Sequence, residues 1–444
     1  MFSPSFMKRD TISSLSTFFE KAFITYCRIL PKVCNRSFLT SFEILLERIS
    51  ELMKYSKLPV YLLSGKEKYS KELFTVFYAG NPDSIYYLSY RMFDETYTTK
   101  QIGTYSVFHL DKLMKRLPNS ADIAIIKTDK FFTRSLQKFQ FITIPEWVNM
   151  VLDTSKSFEE LMRQFSSGAR KDVKKINKYG YSYEITNDLV KMEFFYRRMF
   201  LPYILDRYGE EITQHYLEYI KMILKRNTMN LLLVKDGDSP LSAGLIDIKG
   251  KKQVLPSMGV LDADTRYLQR YASSALFYYH ILSAKKRCID SINYGDTRSF
   301  LNDGSFQYKR KWGMDVTISR FRRGLFGLKI LKDTKAVSDF LAHSPFVFVE
   351  HNRLKAFLYL YEDQPATLVD LQHICRTYYT PGITELLILS PQGFTQQAKD
   401  NELFEITSKY NFVKSFTDVK VLNKKIQACV IRPKESMFNS FLIR

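Results

Sequence analysis

The chain has 444 residues, 45% hydrophobic and 25% charged, an ordinary globular composition that excludes a wholly disordered, collagen-like or fibrous protein. At about 150 residues per domain, this length predicts two or three domains, each able to bury its own core. Lys and Arg number 66 against 46 Asp and Glu, which gives a net charge of +20. A surface this basic favours anionic partners such as nucleotides, phosphate-bearing cofactors, RNA or acidic lipid.

The cysteines and histidines are scattered and show no metal-binding spacing. The five cysteines are odd in number and form no CxxC pair, which favours reduced thiols over disulfides or structural zinc. The six histidines include no pair of the HExxH type, and no apolar run reaches the ~18 residues of a membrane span. We therefore expect a cytoplasmic protein with no metal site, no secretory signal and no membrane span.

The first 150 residues divide into a helical segment and an alternating one. Apolar residues recur at three- and four-residue spacing within residues 1–57, which predicts helices that pack against the rest of the chain. From residue 58 the pattern changes to short runs rich in aromatic and β-branched residues. These runs predict strands over 58–63, 84–90 and 121–127, with a helix over 108–116. Such alternation is typical of α/β domains.

The middle of the chain carries clear helix boundaries. Ser157, followed three residues later by Glu160, forms a capping box and predicts a helix that runs to Ile176 and breaks near Gly168. Gly180 ends this stretch, and the next five residues alternate like a strand. Further helices are predicted over 189–208 and 211–225. Residues 230–260 have the turn and strand pattern of antiparallel hairpins.

The last third continues the alternation of helices and strands. A helix is predicted over 268–286, a strand over 291–294, a short basic helix up to Trp312 and a strand over 316–321. Strands over 346–349, 356–361, 385–389 and 428–431, with a helix over 368–379, follow. We predict four regions, with bounds 1–57, 58–150, 151–328 and 329–444.

The junction before the helix over 268–286 is a candidate anion site. Backbone N–H groups at a helix start, with the positive end of the helix dipole, bind phosphate groups. The residues at this junction are Gln269, Arg270, Tyr271, Ala272, Ser273 and Ser274. Small residues let the backbone approach a ligand, while Ser hydroxyls and Arg add donors. The alternative is an ordinary amphipathic helix with small packing residues.

Three further segments, taken together, point to one protein family. They are the basic run from Arg170 to Gly180, the aromatic run FFYRRMFLPY at 194–203, and NYGDTR at 293–298 followed by DGSFQYKRKWG at 303–313. With the element order of residues 181–325, they resemble the Fem-type branch of the GNAT acyltransferase superfamily. That branch includes Fem peptidyltransferases, leucyl/phenylalanyl-tRNA transferases and acetyltransferases associated with cellulose biosynthesis. The resemblance covers residues 120–330.

This resemblance implies a fold and a cofactor. The fold would be α/β (α+β), with GNAT-like mixed sheets flanked by helices in tandem units. Residues 58–150 would form a degenerate unit and 151–328 the acyltransferase domain, next to an N-terminal helical segment and a C-terminal α/β region. In the superfamily, a loop of the form [Gln/Arg]-x-x-Gly-x-[Gly/Ala] holds the cofactor pyrophosphate. Here Gln269 begins such a loop, and Ala272 and Ser274 occupy its two small positions.

The implied reaction moves an acyl group, most simply acetyl from acetyl-CoA, to an amine acceptor. Two alternatives stay open. The first is aminoacyl transfer from a charged tRNA, which the family also performs and the net charge of +20 favours. The second is a non-catalytic module on a decayed scaffold that binds RNA or another partner. Either phosphate-rich donor would suit the four-residue spacing of Arg170, Lys174 and Lys178, whose alternative role is a solvated charged face.

Candidate catalytic residues follow the strand predicted over 291–294. Asp296 is a candidate general base for the amine, steadied by Arg298; the alternative is a structural pair of these two residues. Tyr294 and Tyr308 are candidates to protonate the leaving group.

A cationic and aromatic cluster lies just beyond them. Lys309 and its neighbours up to Trp312 mix charge with aromatic rings, which suits phosphate or nucleotide binding or, equally, a helix capped by a packed Trp. His280 lies inside an apolar helix and is predicted to be packed.

Overall fold

The computed structural model describes residues 52–53, 55, 57–207, 229–319, 322–360, 364–400, 403–407, 410–421 and 424–433. This part of the chain forms three mixed sheets flanked by helices, which confirms the predicted α/β fold. The helices predicted over 1–57 and 211–225 lie outside the described residues, apart from a few at the end of the first segment. Within the described residues, no helix combines the length and apolarity needed to cross a bilayer.

The first sheet contains six strands and three flanking helices. The strands are β1 (Leu58–Glu67), β2 (Leu73–Ala79), β3 (Phe93–Tyr105), β4 (Ile123–Asp129), β5 (Ile142–Pro145) and the late strand β13 (Gly324–Ile330), and the helices are α1 (Asp83–Met92), α2 (Leu110–Met114) and α3 (Thr133–Lys138). Their order is β3-β1-β2-β4-β13-β5. Only β2 and β4 pair in parallel. β13 lies between β4 and β5, which both come before the second sheet in the chain, so the second sheet is inserted into the first.

Helix α1 corrects the strand predicted over 84–90. Ile85, Leu88 and Met92 are buried at three- and four-residue spacing, which is the period of a helix face. The aromatic residues that suggested a strand include Tyr86 and Tyr90, which are 78% and 73% exposed. The prediction failed because composition was weighed above periodicity.

The second sheet contains seven strands. They are β6 (Trp147–Asp153), β7 (Ser182–Thr186), β8 (Asn230–Asp236), β9 (Ser239–Lys249), β10 (Lys252–Val260), β11 (Ser291–Arg298) and β12 (Asp315–Ile318). Their order is β12-β6-β11-β10-β9-β8-β7, and the single parallel pair is β10 with β11. The predicted hairpins are therefore confirmed as β8, β9 and β10.

The helices of this sheet follow the predicted order, although several of their ends differ from the predicted positions. They are α4 (Phe158–Gln164), α5 (Ser167–Tyr179), α6 (Leu189–Phe194) with the π-helical turn Phe195–Phe200, α7 (Thr265–Gln269), α8 (Ala272–Lys286) and α9 (Gly304–Arg310). Ser157 and Glu160 form the predicted capping box of α4. The break predicted near Gly168 lies three residues earlier, at Phe165, because Ser166 caps the start of α5. Gly180 ends α5 in a left-handed conformation with φ +68°. The helix predicted over 268–286 is divided into α7 and α8.

The third sheet has six strands. Its elements are α10 (Lys335–His343), β14 (Phe346–Glu350), β15 (Arg353–Tyr359), α11 (Leu368–Tyr378), β16 (Ile383–Ser390), α12 (Gln396–Lys399), β17 (Leu403–Thr407), β18 (Tyr410–Val421) and β19 (Lys424–Pro433). Their order is β14-β15-β16-β19-β18-β17, with β15 and β16 parallel. The strands and helix predicted in this region are confirmed.

The sheets are joined by shared cores. One apolar cluster lies between the second sheet and α8 and continues into the third sheet through residues such as Val347 and Ile383. A second packs the first sheet against α10 and β14. The predicted division into domains at 150 and 328 stays a prediction. The chain passes from the first sheet to the second at β6, which starts at Trp147, and returns to the first sheet at β13.

Candidate functional site

The parallel strands β10 and β11 separate after three residue pairs. Lys252–Val254 pair with Ser291–Asn293, and no further pair follows. Both strands are irregular at this level: β10 shifts register against β9 after Val254, and β11 shifts against β6 after Asn293. The two irregularities direct the strands apart. The carboxyl ends of β10 and β11 therefore border an opening in the sheet.

Asp296 lies on the β11 side of this opening. Asn149 of β6 donates to its Oδ1 and to Oδ1 of Asn293, both at 3.0 Å. The bulge that precedes Asp296 contains Gly295, whose φ of +73° favours glycine. The nearest described cation to this carboxylate is Arg322, with Nε 3.8 Å from Oδ2. Asp296 is thus held by an amide and a partly exposed guanidinium.

Arg298, which the sequence predicted to contact Asp296, contacts other residues instead. Its Nη1 lies 3.1 Å from Glu146, and its guanidinium stacks over the rings of Trp147, at 3.8 Å, and Tyr87, at 4.2 Å. The predicted Asp296–Arg298 contact is therefore wrong, because Arg298 joins the second sheet to α1.

Lys309, on α9, points back to the same bulge. Its Nζ donates to the carbonyl oxygens of Asp296, at 2.9 Å, and Gly295, at 3.3 Å. Burial lowers the pKa of Lys309 to about 8, against the opposing effect of Asp296 and Asp303. An ammonium group thus binds the backbone of the bulge that carries Asp296.

Tyr294 and Tyr308 lie on the other face of the sheet. The Tyr294 ring stacks on Phe277 of α8 at 4.7 Å, and the Tyr308 ring meets Phe277 edge-on at 5.1 Å. Asn293 and Asp296 share Asn149, so Tyr294, which alternates with Asn293, faces away from them. Burial raises the pKa of both tyrosines, which keeps them protonated. The structure therefore brings Lys309 to the backbone of Asp296 and places the two tyrosines apart from the Asp296 side chain.

His280 packs beside Tyr294. It is fully buried, with the two rings 5.2 Å apart at 88°. Burial lowers the pKa of His280 to about 3, so the ring is neutral, which fits its predicted packing role.

The start of α8 already faces a carboxylate. Ser274 Oγ donates to Oδ2 of Asp172, on α5, at 2.8 Å, and Lys311 Nζ donates to the same oxygen at 2.8 Å. Ala272 is fully buried, and its carbonyl accepts from Ser242. Negative charge at a helix N-terminus is favourable, and here the protein supplies it itself.

The other junction residues are spread around this helix start. Gln269 ends α7 and is exposed, and Arg270 pairs with Asp236 at 2.6 Å. Tyr271 takes a left-handed conformation, φ +66°, between α7 and α8. Ser273 is half-buried on the first turn of α8. A phosphate group at this end would meet the carboxylate of Asp172.

Helix α5 presents a cationic face, which we call the α5 stripe: Arg170, Lys171, Lys174, Lys175 and Lys178. All five residues are exposed, and among the described residues none has a carboxylate within 4 Å. Asp172 is the one acidic residue of the helix, and it turns inward to Ser274. The stripe is therefore a positive surface free to meet an anion.

The basic cluster after Tyr308 has a mainly structural arrangement. Trp312 is fully buried and meets Phe165 edge-on at 5.2 Å. Arg310 donates to backbone carbonyls of the third unit, at Tyr379 and Arg376. Of the two interpretations of this segment, the packed Trp is the one observed.

Three residues of the site escaped sequence reasoning. Asn149 and Arg322 lie 147 and 26 positions from Asp296 in the chain, and no local pattern connects them. Asp172 did carry a signal, because it is the single acid within a run of cations.

The comparisons with known proteins find only distant structural similarity. No protein-family model matches the sequence, and no curated protein matches it. A solved structure of FemX is similar over 60% of this chain and 83% of its own, with 14% identity and a TM-score of 0.32. The C-terminal domain of a lysylphosphatidylglycerol synthetase from Agrobacterium fabrum covers 62% and 84%, with 9% identity and a TM-score of 0.27.

A GCN5-related N-acetyltransferase from Kribbella flavida is similar over 84% of this chain and 85% of its own, with 7% identity and a TM-score of 0.26. Structural similarity this low defines no activity. The resemblance to a family therefore rests on the strand order and the sequence motifs. The observed hairpins and the parallel pair linked by α8 agree with the resemblance seen in the sequence. Two of the segments that suggested it lie on β11 and α9. The described residues therefore have the mixed α/β fold that this resemblance implies, with sheets flanked by helices.

Proposed function

We propose that the chain is an acyltransferase that moves an aminoacyl group from a charged tRNA to an amine. The observation that carries this choice of donor is the position of Asp172. Its carboxylate lies 2.8 Å from Ser274 Oγ, at the helix start where an acyl-CoA pyrophosphate was predicted. The α5 stripe on the same helix offers unpaired cations to a longer polyanion. Nucleic-acid affinity depends mainly on such phosphate contacts.

The chemistry is assigned to Asp296 and Lys309. Asp296 accepts a proton from the acceptor amine, which attacks the ester carbonyl of the donor. The Lys309 ammonium stabilises the negative charge that develops on the carbonyl oxygen. A C–N bond forms, the ester C–O bond breaks, and the released ribose hydroxyl takes up a proton. The roles predicted for Tyr294 and Tyr308 stay predictions, and their place under α8 gives them no contact with Asp296.

Acetyl-CoA stays the second donor, since small residues do open α8. It requires Asp172 to move when the pyrophosphate arrives. The third interpretation, a module that binds RNA without catalysis, makes no use of Lys309 and Asp296.

The test compares donors on the full-length protein. Binding of tRNA and of acetyl-CoA is measured by thermal shift, and transfer is measured with radiolabelled aminoacyl-tRNA and a primary amine. We expect stabilisation by tRNA, with an affinity that falls steeply as salt rises, and formation of a labelled amide. Stabilisation by acetyl-CoA without tRNA binding would restore the CoA donor. RNA binding without turnover across an amine panel would favour the non-catalytic module.

A charge-reversal variant links the α5 stripe to the donor. Replacing Lys171, Lys174 and Lys175 by Glu should weaken tRNA binding and lower the log–log salt slope by about 0.7 to 0.9 per lost phosphate contact. The matched control reverses Lys112 and Lys115, which are exposed on the first sheet, and should leave the slope unchanged.

A further inference from the structure

Beyond the cationic stripe, the end of α5 carries an exposed aromatic ring in a fixed setting. Tyr179 is 42% exposed, and its ring stacks on that of Tyr181 with centroids 5.2 Å apart and planes within 8°. Gly180 stands between them in a left-handed turn that reverses the chain, with open space where a side chain would be. The two rings therefore stack because the helix ends at this glycine.

The ring beneath Tyr179 is immobile. Tyr181 is 5% exposed; its hydroxyl donates to the carbonyl of Arg270 at 3.0 Å, and its own carbonyl accepts from Tyr279 of α8. Burial raises the pKa of Tyr181, so this hydroxyl remains a donor. One face of Tyr179 is thus supported by a buried ring tied to α8, and a ligand would not have to order it.

A cation and a second ring border Tyr179. The guanidinium of Arg270 lies 5.4 Å from the Tyr179 centroid and is itself held by Asp236 at 2.6 Å. The Tyr271 ring lies 6.4 Å away, tilted by 41°. We call Tyr179, with Tyr181, Arg270 and Tyr271 around it, the Tyr179 platform. An aromatic surface beside a fixed cation is the arrangement on which unpaired bases stack.

The α5 stripe connects this platform to the candidate site. Residue 170 is about 12 Å from residue 178 along the helix axis, at 1.5 Å per residue. Asp172, near the start of the stripe, accepts a hydrogen bond from Lys311, which directly follows α9. An RNA strand that lies along the stripe would place its phosphates on these cations and bring a base to Tyr179.

We propose that the Tyr179 platform stacks a base of a single-stranded RNA segment whose backbone follows the α5 stripe. This inference rests on the proposed function, because the RNA is the donor. The occupant is RNA and not an acidic peptide because the surface combines unpaired cations with an open aromatic ring. A peptide would use the charges alone, whereas stacking tolerates any base.

The experiment uses the full chain and a single-stranded RNA oligonucleotide that carries 2-aminopurine, whose fluorescence falls when it stacks. Wild type should quench the probe, and Tyr179→Ala should weaken binding about 5- to 150-fold and abolish the quenching. Tyr179→Phe keeps the ring and should retain both. Tyr90→Ala is the matched control, since Tyr90 is 73% exposed and carries Lys68 4.1 Å from its ring.

The outcomes separate the platform from the proposed function. If charge reversal on the α5 stripe abolishes RNA binding and Tyr179→Ala changes neither affinity nor quenching, the platform is wrong and the RNA donor stands. If wild type does not bind RNA at all, both are wrong. Equal competition by polyglutamate against RNA would also overturn the platform, because it would show a surface that recognises charge alone.

Discussion

At the scale of single residues, the environment of Lys309 makes a prediction about pH. Burial lowers its pKa to about 8, so the ammonium is present at neutral pH and is lost as the pH rises through about 8. If this charge stabilises the developing oxyanion, the transfer rate should fall as pH rises through about 8. The check is a pH profile of single-turnover transfer from pH 6 to about 10 at constant ionic strength.

Lys309→Arg is the matched variant, because a guanidinium stays charged throughout this range. It should remove the alkaline decline, and Lys309→Met should lower the rate about 10²- to 10³-fold below pH 8, with a smaller difference from wild type above it. A wild-type decline that survives in Lys309→Arg would assign the titration to another group. Since the pKa of Lys309 is lower in the folded than in the unfolded state, stability should rise between about pH 8 and 10.5.

Asp296 gives a second prediction at this scale. Asp296→Asn keeps the shape and a possible bond to Asn149 but removes the proton acceptor, so transfer should fall about 10²- to 10⁴-fold with little change in melting temperature. Asp247→Asn, on β9 of the same sheet, is the control and should leave the rate unchanged. Full activity of Asp296→Asn would mean that positioning alone drives the reaction.

At the scale of elements, Asp172 ties α5 to α8 and to the segment after α9. Asp172→Ala removes the carboxylate that Ser274 and Lys311 share and leaves Ser274 the Tyr308 hydroxyl at 3.3 Å, and both Asp172 and Lys311 are mostly buried. We expect a loss of about 1.5 to 3 kcal/mol in the free energy of unfolding, measured by urea denaturation. Lys175→Ala, exposed on the same helix, should change it by less than about 0.5 kcal/mol.

A double-mutant cycle sharpens this test. If the pair is coupled, Asp172→Ala combined with Lys311→Met should cost less than the two single variants together. Additive effects would show that Asp172 acts only through Ser274. In the Asp172→Ala protein the start of α8 also loses its own anion, so any acetyl-CoA affinity should rise.

The elements that sequence could predict are those whose signals are local. The capping box at Ser157 and the stop at Gly180 depend only on nearby residues, and both were correct. The separation of β10 from β11 depends on register shifts against β9 and β6, and β6 is distant in sequence from β11. Asp296 could be singled out by its place after Gly295, whereas its contacts with Asn149 and Arg322 could not.

At the scale of the whole molecule, the chain returns to its first sheet after completing the second. β13 separates β4 from β5 and pairs with both, so the first sheet is complete only when residues 324–330 are in place. The order of the predicted elements along the chain indicated consecutive units, because the sequence of a strand does not show which sheet that strand will join. The first unit should therefore stabilise late, after the chain that contains the site.

This insertion predicts which regions lose protection together. Phe326, on β13, is 4% exposed within the core that joins the first sheet to α10, so Phe326→Ala should cost about 3 to 5 kcal/mol there. Hydrogen exchange should then accelerate in β4 and β5 together, while amides of β8 keep their protection. Phe131→Ala, at a site 63% exposed, is the control and should change neither. Equal loss of protection in β8 would show that the first two sheets unfold as one cooperative unit, so that β13 stabilises the site-bearing sheet as well.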